Sequence, residues 1–422
     1  MMKRYSEYKD SGMKWIGMVP EHWNICRLKY LSTCNDETLA ETYPDKNIIN
    51  YVEIGDVTLS EGIKNSTVYQ FGKAPSRARR ITRENDVIIS TVRTYLQAIA
   101  TVNRPNLVVS TGFAVIRPTG NQNAEYLSFA LKSKNTIDWI VSESTGISYP
   151  AITANKLNSV PICTPPLCEQ QAIVSYLDGK VAKIDKYIAV AEKKIKALEE
   201  LKQTIISDAV THGTNPHVKM KDSDIKWIGM VPEHWSIKKI RNHFTERRVK
   251  VSDRDYKPLS VAKIGIVPQL EDACKTNNGD DRKLVMAGDF VVNSRSDRKG
   301  SCGVSEFDGS VSLINIVLEP RNIDEKYIHF LFRSNNYIEE FYRNGRGIVA
   351  DLWTTRYSEM KNIYIPIPPL TEQQAIVSYI DRKVSQIEQL RTKELSQIEK
   401  LKEYKQRLIS DVVTGKVRVT ND

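Results

Sequence analysis

Cysteine pairs are missing from this sequence, and their absence argues against a structural zinc site. The six cysteines stand singly, without Cys-x-x-Cys spacing, and the six histidines show no paired metal-ligand spacing. A chain of 422 residues is also long enough to fold without disulfide bonds. We therefore predict no bound metal and free thiols at Cys26, Cys34, Cys163, Cys168, Cys274 and Cys302.

A second absence concerns membrane-spanning and export segments. No apolar run approaches the roughly 18 to 20 residues that a membrane-spanning helix requires. The first ten residues are polar and charged, unlike a signal peptide. The sequence therefore indicates a soluble, cytoplasmic protein without a membrane partner.

The motifs of catalysis on DNA are absent as well. There is no Gly-x-x-x-x-Gly-Lys-Ser/Thr loop for ATP. The Pro-Pro pairs at 165–166 and 368–369 lack the preceding Asn or Asp and the following aromatic residue with which amino-methyltransferases hold an extruded base. We predict no catalytic residue and no cofactor; the alternative is a chain that methylates or cuts DNA by itself.

Most of the positive charge belongs to two segments. The formal net charge is +10, of which residues 24–164 hold +3 and residues 236–367 hold +4, while 165–211 are neutral. Positive charge concentrated in this way is typical of proteins that bind a polyanion. A coiled-coil scaffold without a nucleic-acid role, the other alternative, has no need of two basic segments.

An internal repeat is the most informative feature of the sequence. Residues 14–23 recur without a change as 226–235, and a second block aligns without gaps, at a constant offset of 203, from Pro165 and Pro368 to Asp208 and Asp411. Between the blocks lie 141 and 132 residues that resemble each other only faintly. A shared frame with divergent inserts predicts one repeated structural role and two different recognition roles.

Each insert has the pattern of a mixed α/β domain. Short β-type runs bounded by Gly, Pro and Asp are followed by helix-type segments at 125–132 and 325–333. The β-type runs lie at 87–90, 113–116, 290–292 and 314–317. We predict an α+β protein in four parts: a first recognition domain at 1–164, a helical spacer at 165–211, a second recognition domain at 212–367, and a second spacer with a tail at 368–422.

The two spacers have the apolar periodicity of a coiled coil, with steps of three and four residues. Lys202 interrupts the first seam, and Arg391 and Glu394 interrupt the second. The apolar seam positions are Val181, Ile184, Ile188, Ala191, Ile195, Leu198 and Ile205, then Val384, Ile387, Ile398, Leu401, Leu408 and Val412. We predict helices about 60 Å long that pair as an antiparallel coiled coil; the alternative is that each helix covers its own domain.

The start of each spacer has helix-initiation signals. The Pro-Pro pairs block an upstream extension, Thr371 is placed to cap the second helix, and Gln374 completes a capping box. The repeated Glu-Gln-Gln at 169–171 and 372–374 fits the same role at a helix start. We also assign a structural role, as anchors of the fold edge, to Trp15, Trp23, Trp227 and Trp235.

Over nearly its whole length the sequence resembles the specificity subunits of type I restriction-modification systems. Three motifs carry the resemblance: Gly-Met-Val-Pro-Glu-His-Trp at 17–23 and 229–235, the Pro-Pro-Leu-x-Glu-Gln-Gln-Ala-Ile-Val helix start, and the closing run at 408–416. The family has two variable target-recognition domains separated by conserved helical regions.

The resemblance implies a division of labour. Each variable domain is expected to read one half of a bipartite, asymmetric site on double-stranded DNA, while the helices set the spacing. The chain is expected to be non-catalytic and to assemble with two modification subunits, which bind S-adenosylmethionine, and through the complex with ATP-driven restriction subunits.

Basic and aromatic residues beside predicted loops are the candidate DNA contacts. A dense cluster at 73–83 surrounds Ala74, Pro75 and Ser76, which indicates a basic loop that contacts phosphates or pairs with guanine. Two Gly-led loops, 146–149 and 347–350, are further candidates for proximity to DNA. The predicted DNA-binding residues are Lys73, Arg77, Arg79, Arg80, Arg83, Arg93, Tyr95, Lys156, Arg282, Lys283, Arg295, Arg298, Lys299, Trp353 and Arg356.

Overall fold

The computed structural model describes residues 4–120, 122–269, 279–347 and 353–419. The chain divides into two compact units, Met1–Ala191 with Ser396–Asp422, and Glu192–Leu395. Each unit combines one insert domain with part of both long helices. No described helix is long and apolar enough to cross a membrane.

The strands of the first unit are β1 Tyr8–Asp10, β2 Met18–Pro20, β3 Asn24–Arg27, β4 Ser32–Cys34, β5 Ile48–Val52, β6 Val57–Thr58, β7 Gly62–Ile63, β8 Thr67–Gln70, β9 Ala78–Ile81, β10 Val87–Ser90, β11 Ile99–Thr101, β12 Leu107–Ser110, β13 Phe113–Pro118 and β14 Pro161–Thr164. They include two four-stranded sheets, with strand orders β11-β10-β13-β4 and β8-β5-β12-β9. Pairing is antiparallel in both sheets, except between β5 and β12.

The strands of the second unit are β15 Met220–Asp222, β16 Met230–Pro232, β17 Ser236–Lys239, β18 Phe244–Glu246, β19 Lys250–Val251, β20 Leu259–Ala262, β21 Gly265–Pro268, β22 Arg282–Val285, β23 Phe290–Asn293, β24 Cys302–Val304, β25 Gly309–Ser312, β26 Asn315–Pro320 and β27 Tyr364–Ile367. The first sheet of the first unit is repeated here in the order β18-β26-β23-β24, beside a three-stranded sheet β19-β22-β25. The repeat therefore extends to the topology of the faintly similar inserts.

The central strands are apolar on both faces because each face of the sheet supports a separate core. In β10, Val87 and Ile89 belong to one hydrophobic cluster and Ile88 to another. In β23, Phe290 and Val292 likewise belong to one hydrophobic cluster and Val291 to another. Alternating side chains point to opposite faces of a strand, so a continuous apolar run is what two covered faces require.

The helices confirm the predicted mixed α/β class. They are α1 Ala124–Lys132, α2 Lys134–Ser142, α3 Ala154–Leu157, α4 Leu167–His212, α5 Glu325–Phe332, α6 Asn335–Arg343, α7 Tyr357–Met360 and α8 Leu370–Val413. The predicted segments 125–132 and 325–333 correspond to α1 and α5 within one residue at each end. Asn123 and Asp324 cap these two helices by accepting a hydrogen bond from the amide three residues on.

The long helices α4 and α8 pair antiparallel within each unit. In the first unit Lys405 Nζ lies 2.7 Å from Asp185 Oδ1. In the second, Lys194 Nζ lies 2.5 Å from Glu394 Oε1 and Lys202 Nζ 2.8 Å from Glu388 Oε1. In the second unit the residue numbers of the α8 partners fall from 394 to 388 as those on α4 rise from 194 to 202, which is the signature of antiparallel pairing.

The polar interruptions of the predicted seam are ion-paired. Every predicted apolar seam residue is buried or half-buried. Glu394 is 8% exposed and meets Lys194, while Glu388 accepts from Lys202 and lies 3.3 Å from Arg391. The hydrogen bond from Lys202 is the main reason that the pKa of Glu388 is lowered. The helices also cover the domains, because Ile173 belongs to the first core and Ile206 to the second.

The capping prediction for Thr371 is wrong. Helix α8 begins at Leu370, and the amides of Glu372 and Gln373 already donate to the Pro369 carbonyl at 2.9 Å each. Thr371 therefore lies inside the first turn with an exposed side chain. Pro369 is tolerated directly before the helix because the first amides of a helix have no intrahelical acceptor, so a missing amide hydrogen there costs no helical hydrogen bond.

The repeated glutamines tie each helix start to its domain. Gln170 Nε2 donates to the Pro165 carbonyl at 2.9 Å, and its Oε1 accepts from the Asn123 amide at 3.0 Å. Gln373 makes the same two bonds, at 2.8 Å each, with Pro368 and the Asp324 amide. Both side chains are 1% exposed. The signature is therefore structural at this position, as predicted.

The repeated tryptophans and the cysteines take structural positions. Trp23 and Trp235 are fully buried, and Trp23 Nε1 donates to Glu169 Oε2 at 3.1 Å. The five described cysteines are free thiols, as predicted, and Cys274 lies outside the described residues. Burial raises the pKa of the Cys163 and Cys302 thiols to about 12, which makes both of them poor nucleophiles.

Candidate nucleic-acid interface

A basic groove of about 460 Å³ opens at the end of the central sheet in the second unit. It forms where the residues after β23, the residues before β26 and the segment before α7 converge. The Thr355 amide donates to the Ser294 carbonyl at 3.0 Å, and Arg295 forms an isolated backbone bridge with Thr354. These bonds lock two loops that are distant in sequence into one surface.

Four basic side chains and one carboxylate line this groove. Arg295 and Arg356 are exposed at its two joined loops. Glu246 lies 2.6 Å from Arg248 Nε and 3.4 Å from Lys283 Nζ, and Lys283 also donates to the Asn315 carbonyl at 2.8 Å. The groove therefore keeps an excess of positive charge, with Leu313 and Ile314 as apolar neighbours. Arginine forks and apolar contacts are the groups that read guanine and the thymine methyl.

The first unit has the same backbone connection between two loops, here called the joint, with different side chains. The Ile152 amide donates to the Thr91 carbonyl at 2.9 Å, and Val92 bridges Ala151. These four positions precede their counterparts in the second unit by 203 residues. Hence the backbone frame of the joint is repeated while the groups it presents are not.

At this joint the first unit presents an arginine and exposed apolar groups. Arg93 has a left-handed backbone (φ 49°), its amide donates to the Pro150 carbonyl at 2.7 Å, and its guanidinium lies 4.6 Å from the centre of the Tyr149 ring. Tyr95, Tyr149 and Ile147 are exposed, the last of them completely. The stacked Arg93 and Tyr149 form a pre-organised cationic and aromatic surface.

The basic cluster at 73–83 is not one loop. Lys73 and Arg77 are exposed on either side of the turn at 74–76, whereas Arg79 and Arg80 belong to strand β9 and are half-buried. Arg79 packs over the Phe71 ring at 4.6 Å, and Arg83 pairs with Glu37. Lys73 and Arg77 extend into solvent, as does Arg83 beside Glu37. The alternation of side chains along β9 sends the neighbouring Arg79 and Arg80 to opposite faces.

Several other predicted contacts are engaged within the protein. Arg282 is 5% exposed and donates to Ser310 Oγ at 2.8 Å, so we leave it out of the interface. Trp353 Nε1 donates to the Tyr342 carbonyl at 2.8 Å. The remaining pairs are Lys156 with Glu143 at 2.5 Å, Arg298 with Asp297 at 3.6 Å and Lys299 with Glu339 at 2.5 Å.

Sequence reasoning missed Arg248 and Tyr149 as members of these surfaces. Arg248 follows strand β18, far in sequence from the other basic residues of the groove, and no local signal marks it. Tyr149 belongs to the Gly-led loop 146–149, which was a candidate as a whole, and its contact with Arg93 now singles it out. Of the matching loop 347–350, residues 348–350 lie outside the described residues.

Comparisons with known proteins agree with this architecture. The sequence profile for the type I restriction modification DNA specificity domain matches residues 20–200 and 254–400. The chain is 23% identical to the type I restriction enzyme MjaVIII specificity subunit and 25% identical to the putative type I restriction enzyme MjaX specificity subunit. Both are from Methanocaldococcus jannaschii, and each comparison covers 98% of both chains.

A solved structure has the same fold. It is described as showing the basis of complex assembly and conformational transition of the type I R-M system, and it superposes with a TM-score of 0.66 at 21% identity. The superposition covers 94% of this chain and 98% of the other. The profile matches well over half of the sequence, in two segments that correspond to the two repeats. The chain therefore belongs to the family of type I restriction-modification DNA specificity subunits.

Proposed function

We propose that this chain reads a bipartite, asymmetric sequence on double-stranded DNA, one half with each insert domain. The observation that carries the proposal is the repeated joint with unlike side chains: Val92 and Thr153 occupy the positions of Arg295 and Arg356. Base readout depends on the pattern of donors, acceptors and methyl groups. One frame that presents different groups is therefore suited to two different half-sites.

The chain supplies no catalytic step in this proposal. Methyl transfer and cleavage belong to partner subunits: two modification subunits, and restriction subunits that join through the assembled complex. A chain that carries the same frame twice is suited to binding two copies of one partner. The proposed parts are recognition domains at 1–164 and 212–367 and helical regions at 165–211 and 368–422. We place the assembled complex in the cytoplasm, with the cellular DNA.

An exchange of one insert tests the proposal directly. Replacing residues 236–367 by the corresponding insert of a relative should change one half of the methylated motif and leave the other half unaltered. The motif is read by methylome sequencing of cells that express the variant with the modification subunit. The reciprocal exchange of residues 24–164 is the matched control and should alter the opposite half. A change in both halves from either exchange would contradict separate reading.

We also propose that the length of α4 and α8 sets the number of unread base pairs between the half-sites. Duplicating 194–197 in α4 together with 391–394 in α8 lengthens both helices at the Lys194 and Glu394 pair. Four residues add about 6 Å, close to two base pairs, and slightly more than one helical turn. We expect the methylated motif to gain one or two unread base pairs without a change in the bases read.

A single insertion in α4 is the control for this experiment. It shifts α4 by four residues against an unlengthened α8, so it should disrupt the seam and abolish methylation. An active double variant whose motif keeps its original spacing would show that helix length does not set the gap.

A further inference from the structure

The loop 146–150 of the first unit presents a completely exposed isoleucine on a fixed backbone. Thr145 and Ala151 close the loop with two backbone hydrogen bonds of 2.9 Å each. Gly146 has φ 114°, and a Cβ at that position would lie 3.1 Å from the Tyr149 carbonyl oxygen, so the turn requires glycine. Ile147 follows it and is the most exposed large hydrophobic side chain in the described part of the chain. The backbone therefore holds an apolar side chain in solvent, where it gains nothing from burial.

Further apolar surface lies beside this loop at the joint. Tyr149 is 64% exposed in the loop itself. Tyr95 and Leu96 are each about half exposed in the segment that the Arg93 amide connects to the loop. Adjoining exposed apolar groups mark an interaction surface. Because the joint of the second unit opens into the basic groove, the joint of the first unit is the corresponding place for a DNA contact.

Several polar side chains around this joint are used inside the protein. Thr94 Oγ1 lies 2.7 Å from Ser144 Oγ, and the Thr91 hydroxyl donates to a backbone carbonyl at 2.9 Å. Glu143, a carboxylate shortly before the loop, lies 2.5 Å from Lys156 Nζ. The joint therefore presents a cationic donor, the arginine stacked on the loop tyrosine, beside apolar groups.

We propose that Ile147 contacts the C5 methyl group of a thymine in the half-site read by the first insert, and that Arg93 donates to the acceptor beside that methyl group. In the major groove thymine shows its O4 acceptor and its methyl group together, a combination that adenine, guanine and cytosine lack. A cationic donor near an exposed apolar side chain is complementary to this combination. The inference rests on the proposed function and adds to it one A·T pair of the half-site.

The test uses the full chain assembled with its modification subunit, and duplexes that carry the recognised motif. Each thymine in the half-site assigned to residues 24–164 is replaced in turn by deoxyuridine, which lacks only the methyl group. Fluorescence anisotropy gives the affinity for each duplex. We expect one of these replacements to weaken binding about fourfold, because burying a group of the size of a methyl contributes about 0.8 kcal/mol.

The variant Ile147→Ala connects the methyl group to the side chain. The substitution shortens a completely exposed side chain, so the fold should be retained. The variant should bind the thymine duplex more weakly than the wild type does, and it should bind the thymine and uracil duplexes with equal affinity. This loss of discrimination measures the coupling between the methyl group and Ile147, which a general loss of affinity does not produce.

The matched control is Ile264→Ala, since Ile264 is 76% exposed between β20 and β21 and does not line the basic groove. It should keep the wild-type preference for thymine. The methyl contact is overturned by a half-site without an A·T pair, by a wild type indifferent to every uracil replacement, or by an Ile147→Ala variant that keeps the preference. If that variant also binds both duplexes more weakly, Ile147 is a wedge between base pairs instead. If the wild-type complex does not prefer the motif to a scrambled duplex, the proposed function itself fails.

Discussion

Replacing Arg295 and Arg356 together by alanine is expected to weaken binding to the recognised DNA by about two orders of magnitude. Each arginine that pairs bidentately with a base contributes about 1 to 3 kcal/mol of discrimination. Both side chains are exposed in the basic groove, and the backbone bonds that join their loops do not depend on the side chains. The fold should therefore be retained while recognition is lost.

The measurement is fluorescence anisotropy with a duplex that carries the methylated motif, compared with a scrambled duplex, at several salt concentrations. If the two arginines contact bases, the double variant loses more affinity for the motif than for the scrambled sequence. If they contact phosphates, it loses affinity for both duplexes equally, and the salt slope falls by about one per residue. Arg321→Ala, an exposed arginine of the same unit that does not line the groove, is the control. Unchanged affinity and salt slope in the double variant would remove the groove from the interface.

A second large effect is expected from Trp235→Ala, which should destabilise the second unit by about 3 to 5 kcal/mol. The indole is 1% exposed within the second core, and a Cβ at Gly213 would lie 3.2 Å from its ring. Removing the indole leaves a cavity where the repeated segment 226–235 meets the end of α4. We expect a lower-temperature transition for the second unit by differential scanning calorimetry, with little change in the first.

The two repeated tryptophans differ in a way that phenylalanine substitutions reveal. Trp23 Nε1 donates to Glu169, whereas Trp235 Nε1 has no acceptor among the described residues. Trp23→Phe should therefore cost about 1.5 to 3 kcal/mol more than Trp235→Phe, the usual contribution of a hydrogen bond to a charged group. Equal losses would mean that the bond to Glu169 contributes nothing. Tyr187→Ala, at an exposed helix position, should leave both transitions unchanged.

Much of the fold was predictable because its signals are local. The seam of α4 and α8 follows from the spacing of apolar residues, and α1 and α5 were located to within a residue at each end. The Thr371 cap failed because Pro369 serves as the first acceptor, an outcome that depends on the backbone path out of β27. The cluster at 73–83 failed as a loop because β9 pairs with β12, a distant partner that its own residues do not reveal.

By itself the sequence determined the repeat, the two divergent inserts, the paired helices and the family, since identical blocks and a period of three and four residues are properties of the chain alone. Only the tertiary structure decided which candidate side chains share a surface. Lys283, Arg295 and Arg356 meet Arg248 in one groove, while Arg282, next to Lys283, is buried. The reason is physical: strand alternation sends neighbouring side chains to opposite faces, and the hydrogen bonds between loops bring together residues that are far apart in sequence.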